Sequence, residues 1–148
     1  RPHVVTSGAG GISADNPVDS ASYPYPIVVG NADLDDDIAY GLIRALQDNY
    51  DDYKDNAPGA VGYALEYQDL QWVIPFHDAV VDYYEEIGVW TDEMQAHQEA
   101  LVERQQVLLD AWSAFLEGAP SDEVAFHDAW MSARAAALTN AGFNPVFE

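Results

Sequence analysis

Apolar and polar positions alternate along this chain in several distinct rhythms, and each rhythm predicts an element. After Asn31 an acidic stretch, Asp33 to Asp37, leads into Ile38, Leu42, Ile43 and Leu46, and the spacing continues through Tyr50 and Tyr53. Apolar residues three to four apart share one face of a 3.6-residue helix, so an amphipathic helix is predicted, limited by Pro58-Gly59. Its first-turn acids suit the positive end of the helix dipole. Residues 59–76 show no sustained period. Asp78 to Ile87 predicts a shorter helix stopped by Gly88. Thr91, followed by Asp92 and Glu93, reads as the cap of a long helix on which Met94, His97, Leu101, Leu108, Trp112 and Phe115 recur, ending near Gly118-Ala119-Pro120. Ser121 is expected to cap a last helix carrying Val124, Trp130, Ala137 and Leu138.

The strand signals are fewer. Ile27-Val28-Val29 is a β-branched run behind Pro24-Tyr25-Pro26, which predicts a short strand buried on both faces. A weaker strand candidate spans Gln71 to Ile74. Residues 1–26, with Gly8, Gly10, Gly11 and four prolines, read as loop. The pattern is therefore four helices around a strand or two, without internal repeats. The sheet that Ile27-Val28-Val29 completes is expected to lie in sequence outside this chain. The opening Arg1, with no signal-like segment after it, suggests a mature or cut product.

Charge changes the picture most. Over 148 residues, 26 acidic residues face 5 basic ones, a formal net charge of -21. The five cations, Arg1, Arg44, Lys54, Arg104 and Arg134, are scattered singly, so no patch exists to neutralise nucleic-acid phosphates. No apolar run approaches the roughly 18 residues that would span a bilayer. At 49% hydrophobic residues the chain still has enough apolar material to fold, as one domain or one lobe of something larger. A single lysine beside so many carboxylates suits molar salt, where repulsion is screened within about 3 Å, and predicts a halophile's surface. The lack of cysteine removes disulfides, thiolate catalysis and zinc-thiolate sites together.

Candidate chemistry mostly dissolves when weighed. Asp33, Asp35 and Asp37 match the first ligand positions of a calcium loop, but Ile38 stands where glycine is needed and Arg44 where the bidentate acid belongs. His3, His77, His97 and His127 form no pair spaced for one helical face, so no metal is expected. Glu85 and Glu86 are adjacent on a helix and point apart. Ser7-Gly8-Ala9-Gly10-Gly11 lacks the preceding strand, the lysine and the following helix of a phosphate cradle. Trp72, Trp90, Trp112 and Trp130 could stack sugars or bases, although helical spacing places the last two in a core. No nucleophile, base and orienter can be assembled, so no enzyme and no cofactor are expected.

The order of several short segments carries more than any one of them. The run from Tyr23 to Asp37, with Ala39-Tyr40 and Ala45-Leu46, resembles the C-terminal half of TAXI-family solute-binding proteins of TRAP transporters. Trp72-Val-Ile-Pro-Phe-His77 is similar to the family's "ipLHpGA" segment, with Asp78 where a proline usually follows. Val81-Asp-Tyr-Tyr-Glu-Glu-Ile-Gly-Val-Trp90 is similar to its "a-r-Y-Y-k-E-k-G-l-W" element, and residues 91–112 to the helix after it. The likeness covers residues 20–112 well, and the end of the chain resembles an extension in some members.

The resemblance implies an α/β fold, the C-terminal portion of a two-lobed, type II periplasmic-binding-protein architecture, helix-rich here with one or two strands. Residues 1–26 would form a loop between lobes, residues 27–117 the helices and strand completing the C-terminal lobe, and residues 118–148 a helical extension. It implies an extracytoplasmic receptor, in the periplasm or at the cell surface, with any lipid anchor on a preceding segment. Its partners would be a small organic acid or amino acid, the TRAP membrane permease subunits, and a missing N-terminal half bearing the family's Gly-rich ligand motif. Ser22, Tyr23 and Tyr25 sit where the resembled chain crosses between lobes. There a phenol could offer a hydroxyl to a solute, and alternation places Tyr23 and Tyr25 on one side. The main rival is an acidic helical module whose charged face binds a basic protein partner.

Overall fold

The computed structural model describes residues 2–7, 10–21, 27–57 and 59–146. The chain divides into two compact units, residues 1–69 and residues 70–148.

The first unit opens on a hairpin. Strands β1 (Pro2–Val5) and β2 (Val18–Ala21) pair antiparallel, with Val4 opposite Asp19 and Val5 opposite Val18. Gly11 at φ 86° supplies the left-handed backbone of the connecting loop, and an inner bridge joins Ser13 to Asn16. This corrects the expectation of a loop over residues 1–26. Each strand is only four residues long, with Val4, Val5 and Val18 set among Pro2, His3, Asp19 and Ser20, too short a run to establish a period, and the ladder hydrogen bonds leave no mark on the sequence. The expected strand at Ile27-Val28-Val29 is also corrected. These residues lie in irregular backbone and are 47%, 51% and 73% exposed. β-Branched residues favour a strand only where a neighbour accepts its hydrogen bonds, and none pairs with them among the described residues.

Helix α1 (Asp36–Asp48) starts where the acids predicted. The Asp35 carboxylate caps it, accepting from the backbone N–H groups of Asp37 (3.0 Å) and Ile38 (3.3 Å). The helix is shorter than its apolar pattern, because Asn49 leaves helical geometry at φ -106°, ψ 17° and its side-chain amide donates to the Ala45 carbonyl at 2.8 Å. Asparagine offers the backbone this local alternative to continued helix. A single turn, α2 (Tyr50–Tyr53), follows. Two 3-10 turns, Ala60–Tyr63 and Leu65–Tyr67, then fold against the same side. Gln47 donates to the Tyr63 carbonyl at 3.1 Å, Tyr50 Oη to Val61 at 3.0 Å, and Tyr53 Oη to Leu46 at 2.9 Å. Ala39, Ala60 and Ala64 are buried beneath these contacts.

In the second unit, residues 71–74 form turns and bends, which corrects the weaker strand candidate. Helix α3 (Asp78–Glu86) ends in a Schellman motif. Gly88 at φ 73° lets its own N–H reach the Glu85 carbonyl (2.9 Å) and the Val89 N–H reach that of Tyr84 (3.0 Å). Helix α4 (Asp92–Leu116) is capped by Thr91, whose hydroxyl accepts from the Met94 N–H at 3.3 Å, as the sequence predicts. Helix α5 (Glu123–Asn140) packs antiparallel on α4. Its cap is Asp122, not the expected Ser121: the carboxylate accepts from the Ala125 N–H at 3.0 Å, one register later. An edge-to-face cluster of Trp112, Phe115, Phe126 and Trp130 joins the two helices, the two indoles 4.7 Å apart, and Leu138, near the end of α5, is fully buried. Gly142, at φ 83°, closes α5 with a second Schellman motif.

Candidate functional site

Among the described residues, the most elaborately held segment is the loop of residues 70–77 between the two 3-10 turns and α3. It begins at buried Leu70 and carries Trp72 and Phe76. Irregular backbone must find hydrogen-bond partners away from itself, and α4 supplies them. The side-chain amide of Gln98, 6% exposed, forms a two-point clamp on Phe76: its oxygen accepts from the Phe76 N–H at 2.9 Å and its nitrogen donates to the Phe76 carbonyl at 2.7 Å. The residue before it, His97, donates from Nε2 to the Trp72 carbonyl at 2.7 Å. That bond requires the proton on Nε2.

The clamp presses Phe76 into an aromatic nest. Its ring meets Tyr84 and Trp90 edge-to-face at 5.9 and 5.8 Å, while Tyr84 and Trp90 stack at an interplanar angle of 4°. The Trp90 indole N–H donates to Gln95 Oε1 at 3.0 Å. Tyr84 is 2% exposed, and burial, helped by neighbouring Tyr83, pushes its phenol up to about 12. His77 ends the loop and begins α3, its Nδ1 accepting from the Ala79 N–H at 3.3 Å. An acceptor at Nδ1 places the His77 proton on Nε2 in the neutral ring. The arrangement fixes the shape of a loop, and its buried amide, Gln98, is spent on backbone.

The residues singled out from the sequence fall as follows. Ser22, Tyr23 and Tyr25 lie outside the described residues. Of the former calcium candidates, Asp35 caps α1. Ser7, Gly10 and Gly11 belong to the hairpin connection. Glu85 and Glu86 are both exposed on α3. Trp112 and Trp130 pack on one another, as their spacing predicts. No three His, Asp or Glu side chains converge in a way that could hold a metal among the described residues. Sequence reasoning missed Gln95 and Gln98. The signal available was a pair of uncharged amides, three residues apart, in the otherwise acidic first turns of α4, which carry Asp92, Glu93 and Glu99.

A profile of the NMT1-like family matches residues 2–88, more than half of the chain. The chain belongs to the NMT1-like family. This is a periplasmic-binding-protein-like family, and membership supports a solute-binding role with a small-molecule ligand in a periplasmic-binding-protein-like α/β fold. The matched region takes in the β1–β2 hairpin, α1, the clamped loop and α3, and closes at Gly88. No curated protein and no solved structure matches the chain.

Proposed function

We propose that this chain is the C-terminal half of an extracytoplasmic receptor of the TAXI type, which captures a small organic acid or amino acid and delivers it to the permease of a TRAP transporter. The observation that carries the proposal is the family match over residues 2–88, which overlaps residues 20–112, where the sequence resembles TAXI receptors. A second observation supports the half-receptor reading. Ile27, Val28 and Val29 are exposed in the first unit, and so are Ile38 (59%) and Leu42 (43%) on one face of α1. A β-branched run and an apolar helix stripe left in water are what an α/β lobe shows when the strands that would cover them belong to another segment.

In this proposal the complete receptor has two lobes closing on the solute, and Ser22, Tyr23 and Tyr25 stand at the crossing, with Tyr23 offering its hydroxyl. Solute capture requires no reaction step, so the receptor is not an enzyme. The acidic surface, with Lys54 its single lysine, belongs to a protein working in high salt. The test is Tyr23→Phe in the full receptor, which removes only the hydroxyl and weakens solute binding by about 0.5–1.5 kcal/mol. Unchanged affinity in both Tyr23→Phe and Tyr25→Phe, with the fold intact, moves the site wholly into the other half.

A further inference from the structure

Helix α4 carries two parallel lines of side chains that the rest of its unit does not use. Trp112 and Phe115 face α5, where they meet Phe126 and Trp130. Away from that contact run Val102, Leu109 and Leu116, 48%, 59% and 50% exposed and spaced seven residues apart. Seven residues are nearly two helical turns, so the three form one stripe about 21 Å long. The stripe continues a contact already made. Gln95, seven residues before Val102, receives the Trp90 indole N–H. The covered line therefore runs bare from Val102 onward.

One position on from each stripe residue stands an acid. Glu103, Asp110 and Glu117 are all exposed and form a second line at the same seven-residue spacing. The ion pairs among the described residues, Arg44–Asp48, Lys54–Asp51 and His127–Asp128, leave this line unneutralised. The last turn of α4 contains no basic residue to meet its negative dipole end. Between the two lines lie Gln106 and Ser113, which are uncharged. The face is thus apolar along one edge and acidic along the other, over about four turns.

We infer that this face of α4 docks an amphipathic helix of a different protein, one whose apolar stripe is flanked by a line of Lys or Arg. Apolar residues at heptad spacing fit a helix laid alongside. The acid line selects the charge of its flank and fixes its register. A second copy of this chain is the wrong occupant, because its α4 carries no basic line to meet Glu103, Asp110 and Glu117. The single Lys or Arg of α4, Arg104, belongs to neither line. The surface lies beyond the family-matched residues 2–88, on the helix that the receptor reading places in the same lobe, and its argument uses only the faces of α4.

The test uses the 148-residue chain and a labelled synthetic helix of about four to five turns, with leucines along one stripe and lysines beside it, at about 0.15 M and about 1 M salt, where exposed charges are screened beyond about 8 Å and about 3 Å, with circular dichroism checking that the chain is folded at both. A counterpart peptide carries glutamates in place of the lysines. Fluorescence anisotropy is expected to show the lysine peptide binding at least tenfold more tightly than the glutamate peptide. The double variant Leu109→Glu, Leu116→Glu keeps both sites solvent-exposed, and circular dichroism verifies its helix content. It makes the chain more acidic, so general attraction to an acidic surface would strengthen, whereas docking on the stripe predicts a loss of tenfold or more. Neutralising the line with Glu103→Gln, Asp110→Asn and Glu117→Gln is expected to weaken binding and flatten its salt dependence. Equal or tighter binding by the double variant overturns the inference. Sedimentation showing a dimer that the double variant abolishes, with no peptide binding by the parent chain, overturns it in favour of self-association.

Discussion

Replacing Gln98 by methionine removes both arms of the Phe76 clamp while keeping an unbranched side chain of similar length. The Phe76 N–H and carbonyl, bonded to Gln98 at 2.9 and 2.7 Å, would each lose their partner in a half-buried setting. A buried backbone group left unsatisfied costs about 1–3 kcal/mol. Partial access of water to the loop puts the sum at about 2–4 kcal/mol, a large share of a small unit's stability. Urea denaturation followed by tryptophan fluorescence measures it, since Trp90 stacks on Tyr84 beside Phe76. A Gln98→Glu variant sharpens the reasoning. Its carboxylate can still accept from the Phe76 N–H, but the second oxygen faces the Phe76 carbonyl and can donate to it only when protonated. That contact and burial both raise the folded-state pKa of the new acid. Its stability contribution is then present below the unfolded value of about 4.3 and is lost as pH rises through the folded value. Gln98→Glu should therefore approach wild type in acid, relative to Gln98→Met, and fall below it at neutral pH. A loss under about 1 kcal/mol for Gln98→Met, with an unchanged denaturant slope, would refute the clamp as the loop's anchor.

Three further outcomes follow from the same structure. Absorbance titration of the phenols should show one tyrosine ionising last, at about 12, and Tyr84→Phe should remove that step. Because this pKa lies above the ordinary 10, the stability it contributes is complete below pH 10 and is lost as pH climbs through about 12. Trp112→Ala should cost about 2–4 kcal/mol by chemical denaturation, at or below the usual range for a buried tryptophan because the ring is only half-buried among Phe115, Phe126 and Trp130. The thermal midpoint should rise between about 0.1 M and 3 M salt as the Debye length falls from about 10 Å to below 3 Å; a salt-independent midpoint would remove the basis for a halophilic surface.

What was legible in the sequence tracks how local the governing interaction is. The caps at Asp35 and Thr91, the glycine stop at Gly88, and the Trp112–Phe115–Trp130 core depend on residues a few positions apart or on one helical face, and their signals stand in the sequence. The end of α1 did not follow its apolar period, because Asn49 outcompetes the next turn with its own amide. Strand identity depends on a partner elsewhere in the chain. Ile27-Val28-Val29 has the composition of a strand and no ladder among the described residues, while residues 2–5 and 18–21 have the ladder in runs too short to set a period. The Gln98 clamp was invisible for the same reason: it joins residues 22 positions apart through irregular backbone that no periodicity describes.

The proposal that this chain is half of a solute receptor is tested most directly by titration calorimetry at high salt, against a panel of small carboxylic acids and amino acids. The measurement is made on the 148-residue chain alone and on the complete receptor of which the proposal makes it half. The account predicts micromolar or tighter binding of at least one solute by the receptor, weakened by Tyr23→Phe, and no binding by the chain alone, since one wall of the cleft is missing. Micromolar binding by the isolated chain would contradict the half-receptor reading, and a complete receptor that binds none of these solutes would contradict the receptor itself.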